Sequence, residues 1–310
     1  MKHLEFPGES GGSAHAGDSR DIADRADSGG SAHAGDSRDI ADGADGGGSA
    51  HAGDTIVFLH GGNVAGWMWG EQIPAFPDHH VLVPDLPGFG ASNDEPWVSM
   101  SDAADRVAEL IRARARGGVA HVVGLSLGAG LALHLALRHP TTVSSLLLAS
   151  ASITPPSRAT MLGGRVMLAA WNRPWFWAAL ARGYKLPADS VDIFTETGLG
   201  IRRETARAIF DETCRGFDPA ELVRTVPTLG VRVLAVAGGS DSRAISVDSL
   251  AVLAAIDGVE TAIAPGMHHQ WNIENVALFN ATVRDWIDRS TVADGLVNSE
   301  SGAGRQSGRE

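Results

Sequence analysis

From Thr55 onward, short runs that are apolar at nearly every position alternate with longer stretches whose apolar residues recur every three to four positions. Thr55–Leu59 (TIVFL), His80–Val83, Ala120–Val123, Ser145–Ser150, Val231–Ala237 and Glu260–Ala264 are runs of the first kind. A strand with one face in water would alternate, so these runs predict strands covered on both faces. Ser101–Ala115, Leu127–Arg138, Ser246–Ile256 and Ala277–Arg289 carry the helical spacing. Ser101 is the expected N-cap of the first and Gly117–Gly118 its stop, while His139–Pro140 halts the second. The alternation predicts an α/β fold, with a mostly parallel central sheet and helices on both faces.

Residues 152–225 interrupt this rhythm. They have helical patterns but no clear strand, and they hold Trp171, Trp175, Phe176, Trp177, Phe194, Phe210 and Phe217. The segment reads as a helical lid inserted at the C-terminal end of the sheet, where ligands bind in such folds. The expected organisation is therefore 55–151 and 226–290 as core, 152–225 as lid, and a polar, Gly/Ser-containing tail over 291–310 without fixed structure.

The segment 1–54 differs in kind. After a short candidate strand, Ser10–Asp24 and Ser28–Asp42 are the same fifteen residues, SGGSAHAGDSRDIAD, and Gly46–Asp54 is a partial third copy. This repeat is made mainly of Gly, Ala, Ser and Asp, and it has too little apolar surface to offset its ordering entropy. It is expected to be disordered. Residues 10–54 contribute nine Asp against three Arg, half of the chain's net charge of −12. An acidic chain repels nucleic acid and anionic membranes, so neither is expected as a partner. No apolar run is long enough for a membrane span or a signal peptide, and Cys214 is the single cysteine. These features point to a cytoplasmic protein. His15, His33 and His51 recur with the repeat, but without cysteines or a close His pair they make no metal site. There is no nucleotide loop or HExxH motif, so no cofactor is expected.

The chemistry concentrates at the ends of the apolar runs. Gly124-Leu125-Ser126-Leu127-Gly128 fits G-x-S-x-G and lies between a predicted strand and a predicted helix. There the serine hydroxyl sits at a helix N-terminus, whose partial positive charge favours a developing oxyanion. His60-Gly61-Gly62-Asn63 ends the first run, and its bare backbone suits an oxyanion hole formed by the N–H groups of Gly62 and Leu127. A serine nucleophile needs a histidine base held by a carboxylate. Asp241 follows the strand at 231–237, and His268 and His269 follow the strand at 260–264. Asp248 and Asp257 are poorer acids, one inside a predicted helix and one at a helix end. Spacing favours His269 as the base and leaves His268 as the alternative.

Together, HGG at 60–62, DLPGFGAS at 85–92, GLSLG at 124–128, GGSD at 238–241 and PGMHHQW at 265–271 resemble the α/β-hydrolase superfamily, on its serine esterase and lactonase side. The resemblance spans roughly 55–290. It implies a Ser126–Asp241–His269 triad, with the base on a G-x-x-H loop at Gly266–His269, and a structural turn at Asp85, Gly88 and Gly90. His268 departs from the small residue that many members carry there. A serine at the elbow, rather than an aspartate, implies acyl-enzyme chemistry on an ester, lactone or thioester.

The substrate is expected to be a small apolar or aromatic molecule. Asn63, Trp171, Trp175, Met267 and His268 are the candidate pocket residues, although the tryptophans equally suit packing of the lid on the body. One fold hosts many chemistries, so acyl transfer, perhydrolysis and carbon–carbon bond hydrolysis stay open. A non-catalytic binding member would be expected to carry a damaged triad or oxyanion loop. Nothing in the sequence fixes an oligomeric state.

Overall fold

The computed structural model describes residues 1–8, 53–183, 186, 190–242 and 246–299. The repeat between residues 9 and 52 lies outside the described residues, as do 300–310.

Eight strands form one sheet in the order β1-β3-β2-β4-β5-β6-β7-β8. They are β1 His3–Phe6, β2 Thr55–Leu59, β3 His80–Pro84, β4 Ala120–Leu125, β5 Val143–Ala149, β6 Arg232–Gly238, β7 Val259–Ala264 and β8 Val297–Asn298. The six strands from β3 to β7 are parallel, and β1 and β8 close the two edges antiparallel. Every residue of β2, β3 and β4 is buried. That is the reason their sequences are apolar runs rather than alternations.

The chain leaves β2 for β3 on one side, then returns to place β4 on the other. The strand order thus reverses at β2, and the loops after β2 and β4 diverge over a crevice at the C-terminal edge. Register keeps the strand ends level there. Leu59 pairs with Gly124, Leu125 with Ala149, and Gly238 with Ala264.

The core helices are α1 Met100–Arg114, α2 Leu127–Arg138, α8 Asp248–Ala254, α9 Trp271–Glu274 and α10 Val276–Arg284. The N-cap of α1 is Ser99, not Ser101. Ser99 is extended, and its hydroxyl accepts from Asp102 N–H at 3.0 Å, which leaves Ser101 in the first turn.

The expectation of an unstructured tail over 291–310 is corrected for its first half. β8 pairs with β7, Ser299 Oγ lies 2.7 Å from Thr261 Oγ1, and Ala293 is buried. An unpaired β7 would present bare backbone groups, and this two-residue strand covers those at Ala262 and Ile263.

The insertion between β5 and β6 consists of α3 Arg158–Ala169, α4 Pro174–Gly183, α5 Val191–Gly200, α6 Arg203–Arg215 and α7 Pro219–Thr225. Its aromatics form a small core of their own. Trp177 and Phe194 are fully buried with rings 5.7 Å apart, and Trp177 Nε1 donates to Trp171 O at 2.7 Å. Gly198 is needed there, because a Cβ on it would lie 2.3 Å from the Trp177 ring. Glu212 on α6 ties the insertion to the core. Its carboxylate accepts from Trp97 Nε1 at 2.9 Å and from Met100 N–H, at the start of α1, at 3.1 Å.

At the opposite end of the sheet, Arg284 grips both oxygens of Asp78, at 3.1 and 3.2 Å, and donates to Ala75 O at 2.6 Å. The Arg284 guanidinium, with lesser help from His79, holds the Asp78 carboxyl at about 2. A depressed carboxyl stabilises the fold above its unfolded value of 3.8 and loses that contribution as pH falls through 2. Arg284→Ala is therefore expected to cost about 1 kcal/mol, roughly 2–4 °C in Tm, at neutral pH. The deficit should narrow between pH 4 and pH 2 in thermal melts of wild type and variant.

Candidate active site

Ser126 stands between β4 and α2 with φ 55° and ψ −110°, a strained conformation for a residue with a side chain. The two flanking glycines permit it. A Cβ on Gly124 would lie 2.3 Å from Gly128 O, and one on Gly128 would lie 2.1 Å from Leu59 O. Helix α2 thus begins in direct contact with the backbone at the end of β2. Leu127, its first residue, and Gly62 have N–H groups with no acceptor among the described residues.

The loop carrying Gly62 is pinned by His60, which is fully buried. Its Nδ1–H donates to Gly61 O at 2.8 Å, and its Nε2 accepts from Leu86 N–H at 3.0 Å. Burial lowers its pKa against the smaller opposing pull of Asp85. His60 is therefore a neutral strut joining the HGG loop to the turn after β3. Asp85 organises that turn by accepting from Gly66 N–H and Ala91 N–H, each at 2.7 Å. This is a structural part, as the resemblance implied.

The loops after β6 and β7 are stitched together by their backbones. Gly239 N–H donates to Ala264 O and Ser240 N–H to Met267 O, both at 2.8 Å. Gly238 packs so closely on the second loop that a Cβ there would meet Met267 O at 2.5 Å. This brings Asp241 Oδ2 to 2.8 Å from His269 Nδ1. An ionised carboxylate only accepts, so Nδ1 carries a proton, and in the neutral imidazole Nε2 is then the nitrogen with the lone pair. Burial by itself would raise the Asp241 pKa. The hydrogen bond and charge of His269, with the Ser246 hydroxyl and Ser242 N–H, outweigh it and hold the carboxyl below its ordinary value.

The adjacent histidine is occupied elsewhere. His268 Nδ1 lies 3.0 Å from Glu274 Oε1, and its N–H donates to Glu274 Oε2 at 2.7 Å. Of the two histidines left open by spacing, His269 is the one that meets Asp241. His269 Nε2 makes no hydrogen bond among the described residues, to Ser126 or otherwise. Such contacts are often loose without substrate.

A cavity of about 310 Å³ opens at Ser126 between the core and the insertion. Gly62, Asn63, Ser126 and Leu127 lie on the core side, while Met167, Leu168, Trp171, Ile201, Ile209 and Phe210 come from the insertion. Of the expected pocket residues, Asn63 and Trp171 line it and three do not. Trp175 is 64% exposed on the outside of α4, Met267 packs against the core, and His268 is held by Glu274. Composition marks the aromatics of the insertion and the residues beside His269 as candidates, but it does not say which way each side chain points. Phe89 and Met100 are walls that sequence reasoning missed, since they come from distant segments with ordinary core patterns. No acidic, basic or histidine side chain lines the cavity.

No described helix is long and apolar enough to cross a membrane. Among the described residues, no cluster of His, Cys, Asp or Glu could hold a metal ion.

A parallel sheet with a strained serine on its central turn and an Asp–His pair at the same edge defines a hydrolase-type scaffold. The family pattern for the alpha/beta hydrolase fold matches residues 54–192. A protein of Gibberella zeae described as an AB hydrolase superfamily protein is 30% identical over 261 residues, covering 78% of this chain and 83% of its own. The chain belongs to the α/β hydrolase family. Among solved structures, a thermophilic esterase from Thermogutta terrifontis superposes with a TM-score of 0.63 at 22% identity, covering 77% of this chain and 90% of the esterase. An enol-lactonase from Burkholderia xenovorans superposes with a TM-score of 0.63 at 19% identity, covering 76% and 91% respectively. At these identities the likeness is one of fold.

Proposed function

We propose that this hydrolase cleaves a carboxylic ester or lactone of a small apolar molecule through an acyl-enzyme on Ser126. The observation that carries the reading is the pairing of a strained, glycine-flanked Ser126 with an Asp241–His269 couple in which Oδ2 lies 2.8 Å from Nδ1. In this mechanism Nε2 takes the Ser126 proton as Oγ attacks the carbonyl carbon. The tetrahedral oxyanion accepts from Gly62 and Leu127 N–H. Collapse expels the alcohol, which takes the proton from His269. Water then attacks the acyl-enzyme with His269 as base, releasing the acid and restoring Ser126. Asp241 keeps the imidazole in the productive tautomer and stabilises its cationic form. A cavity without ionisable lining disfavours a charged group on the substrate portion that it holds, which favours a neutral apolar portion there. An esterase and a lactonase among the structural relatives agree with this reaction class.

Intact-mass analysis after treatment with a fluorophosphonate tests the reading. One adduct is expected on the wild type and none on Ser126→Ala. A folded wild type that stays unlabelled and turns over no p-nitrophenyl ester would sink it.

A further inference from the structure

One buried hydroxyl beside Asp241 has no part in the scheme above. Ser246 precedes α8 and is 1% exposed. Its Oγ–H donates to Asp241 Oδ2, the same oxygen that lies 2.8 Å from His269 Nδ1. The hydroxyl oxygen is itself 3.4 Å from Nδ1, so the three groups form a closed triangle. Asp241 Oδ1 is held from the other side by Ser242 N–H at 2.6 Å. Ser246 N–H donates to Ser242 O at 3.1 Å, which ties the two donors to each other.

The physical consequence follows from the number of donors. The Asp241 side chain is 4% exposed, so protein donors rather than bulk water must satisfy its oxygens. Apart from the imidazole that Asp241 is to orient, a single donor on Oδ1 would leave the carboxylate able to rotate about its Cβ–Cγ bond. A second donor, on Oδ2 and from a different direction, sets its plane. That oxygen then faces the imidazole edge, and its electron density is divided between Ser246 Oγ–H and His269 Nδ1–H.

We propose that Ser246 is a positioning residue for Asp241, presenting Oδ2 to His269 Nδ1 and sharing that oxygen with it. The inference rests on the serine-hydrolase reading, in which the orientation of His269 limits turnover.

Two variants and two measurements test it. Ser246→Ala is expected to lower kcat on p-nitrophenyl acetate about tenfold with KM unchanged, because orientation rather than substrate binding is lost. Ser246→Thr keeps the hydroxyl and should stay within about threefold of wild type. A role in packing alone predicts the reverse order, since Thr adds a methyl to a closed site while Ala leaves only a small gap. The low-field proton NMR signal of the His269 Nδ1–H reads the shared oxygen directly. In Ser246→Ala that bond no longer divides its acceptor, and the signal should move downfield. An unmoved signal, or a Thr variant slower than the Ala variant, overturns the proposal. A wild type inert to both fluorophosphonate and ester overturns the serine-hydrolase reading instead, and the NMR comparison still decides the role of Ser246.

Discussion

Ser126→Ala and His269→Ala are each expected to lower kcat/KM for p-nitrophenyl acetate by about 10⁵-fold, and the double variant by no more than either alone. The reason is that in the proposed mechanism the two side chains act in one step. Without Nε2 to receive its proton, the Ser126 hydroxyl is a poor nucleophile, and without Oγ the imidazole has nothing to activate. Removing the second therefore costs almost nothing further, and residual activity comes from the Gly62 and Leu127 N–H groups and the cavity. Asp241→Asn should lose about 10⁴-fold, because an amide can offer Nδ2–H to His269 Nδ1 and leave the proton on Nε2. His268→Ala is the internal control. Its ring is engaged by Glu274, so activity should stay within about threefold of wild type, as for a residue outside the reacting pair. Multiplicative losses at Ser126 and His269, or a collapse of activity in His268→Ala, would show that the reacting pair is a different one.

That control matters because the choice between the histidines was the least legible part of the site. Both follow β7, both sit in the same short loop, and their spacing from Ser126 differs by one residue. What separates them is Glu274, six positions beyond His268 and carried round by α9. The strands were far more legible. A parallel strand buried on both faces is apolar almost throughout, as in the fully buried β2, β3 and β4, and β2 to β7 appear in the sequence within two residues of their observed ends. Ser126 was readable for a related reason, since its geometry forbids side chains at positions 124 and 128. The cavity wall was not. Phe89, Met100, Ile209 and Phe210 come from three separate segments and are patterned like any core residue, so only tertiary packing reveals that they face Ser126. Ser246 was hidden in the same way, inside a stretch read only as the start of a helix. β8 escaped because two exposed residues carry no periodic signal.

The backbone constraint at position 128 leads to the largest expected effect on stability. Gly128→Ala would place a methyl 2.1 Å from Leu59 O, 2.6 Å from Leu59 C and 2.7 Å from His60 O. None of these is the end of a side chain that could swing away, so α2 must shift relative to β2 by about 1 Å to restore van der Waals contact. A cost of about 3–4 kcal/mol is expected, lowering Tm by roughly 10 °C. The same shift separates Leu127 N–H from Gly62 N–H, so kcat should fall about 10²-fold even at temperatures where the variant stays folded. Gly130, two residues further along α2, isolates the cause. Nothing lies within 4 Å of a Cβ built there, so Gly130→Ala should gain about 0.5–1 kcal/mol from its better helix propensity. Thermal melts of the two variants are thus expected to move in opposite directions. Equal destabilisation would mean that the helix as a whole, rather than its contact with Leu59, is what position 128 protects.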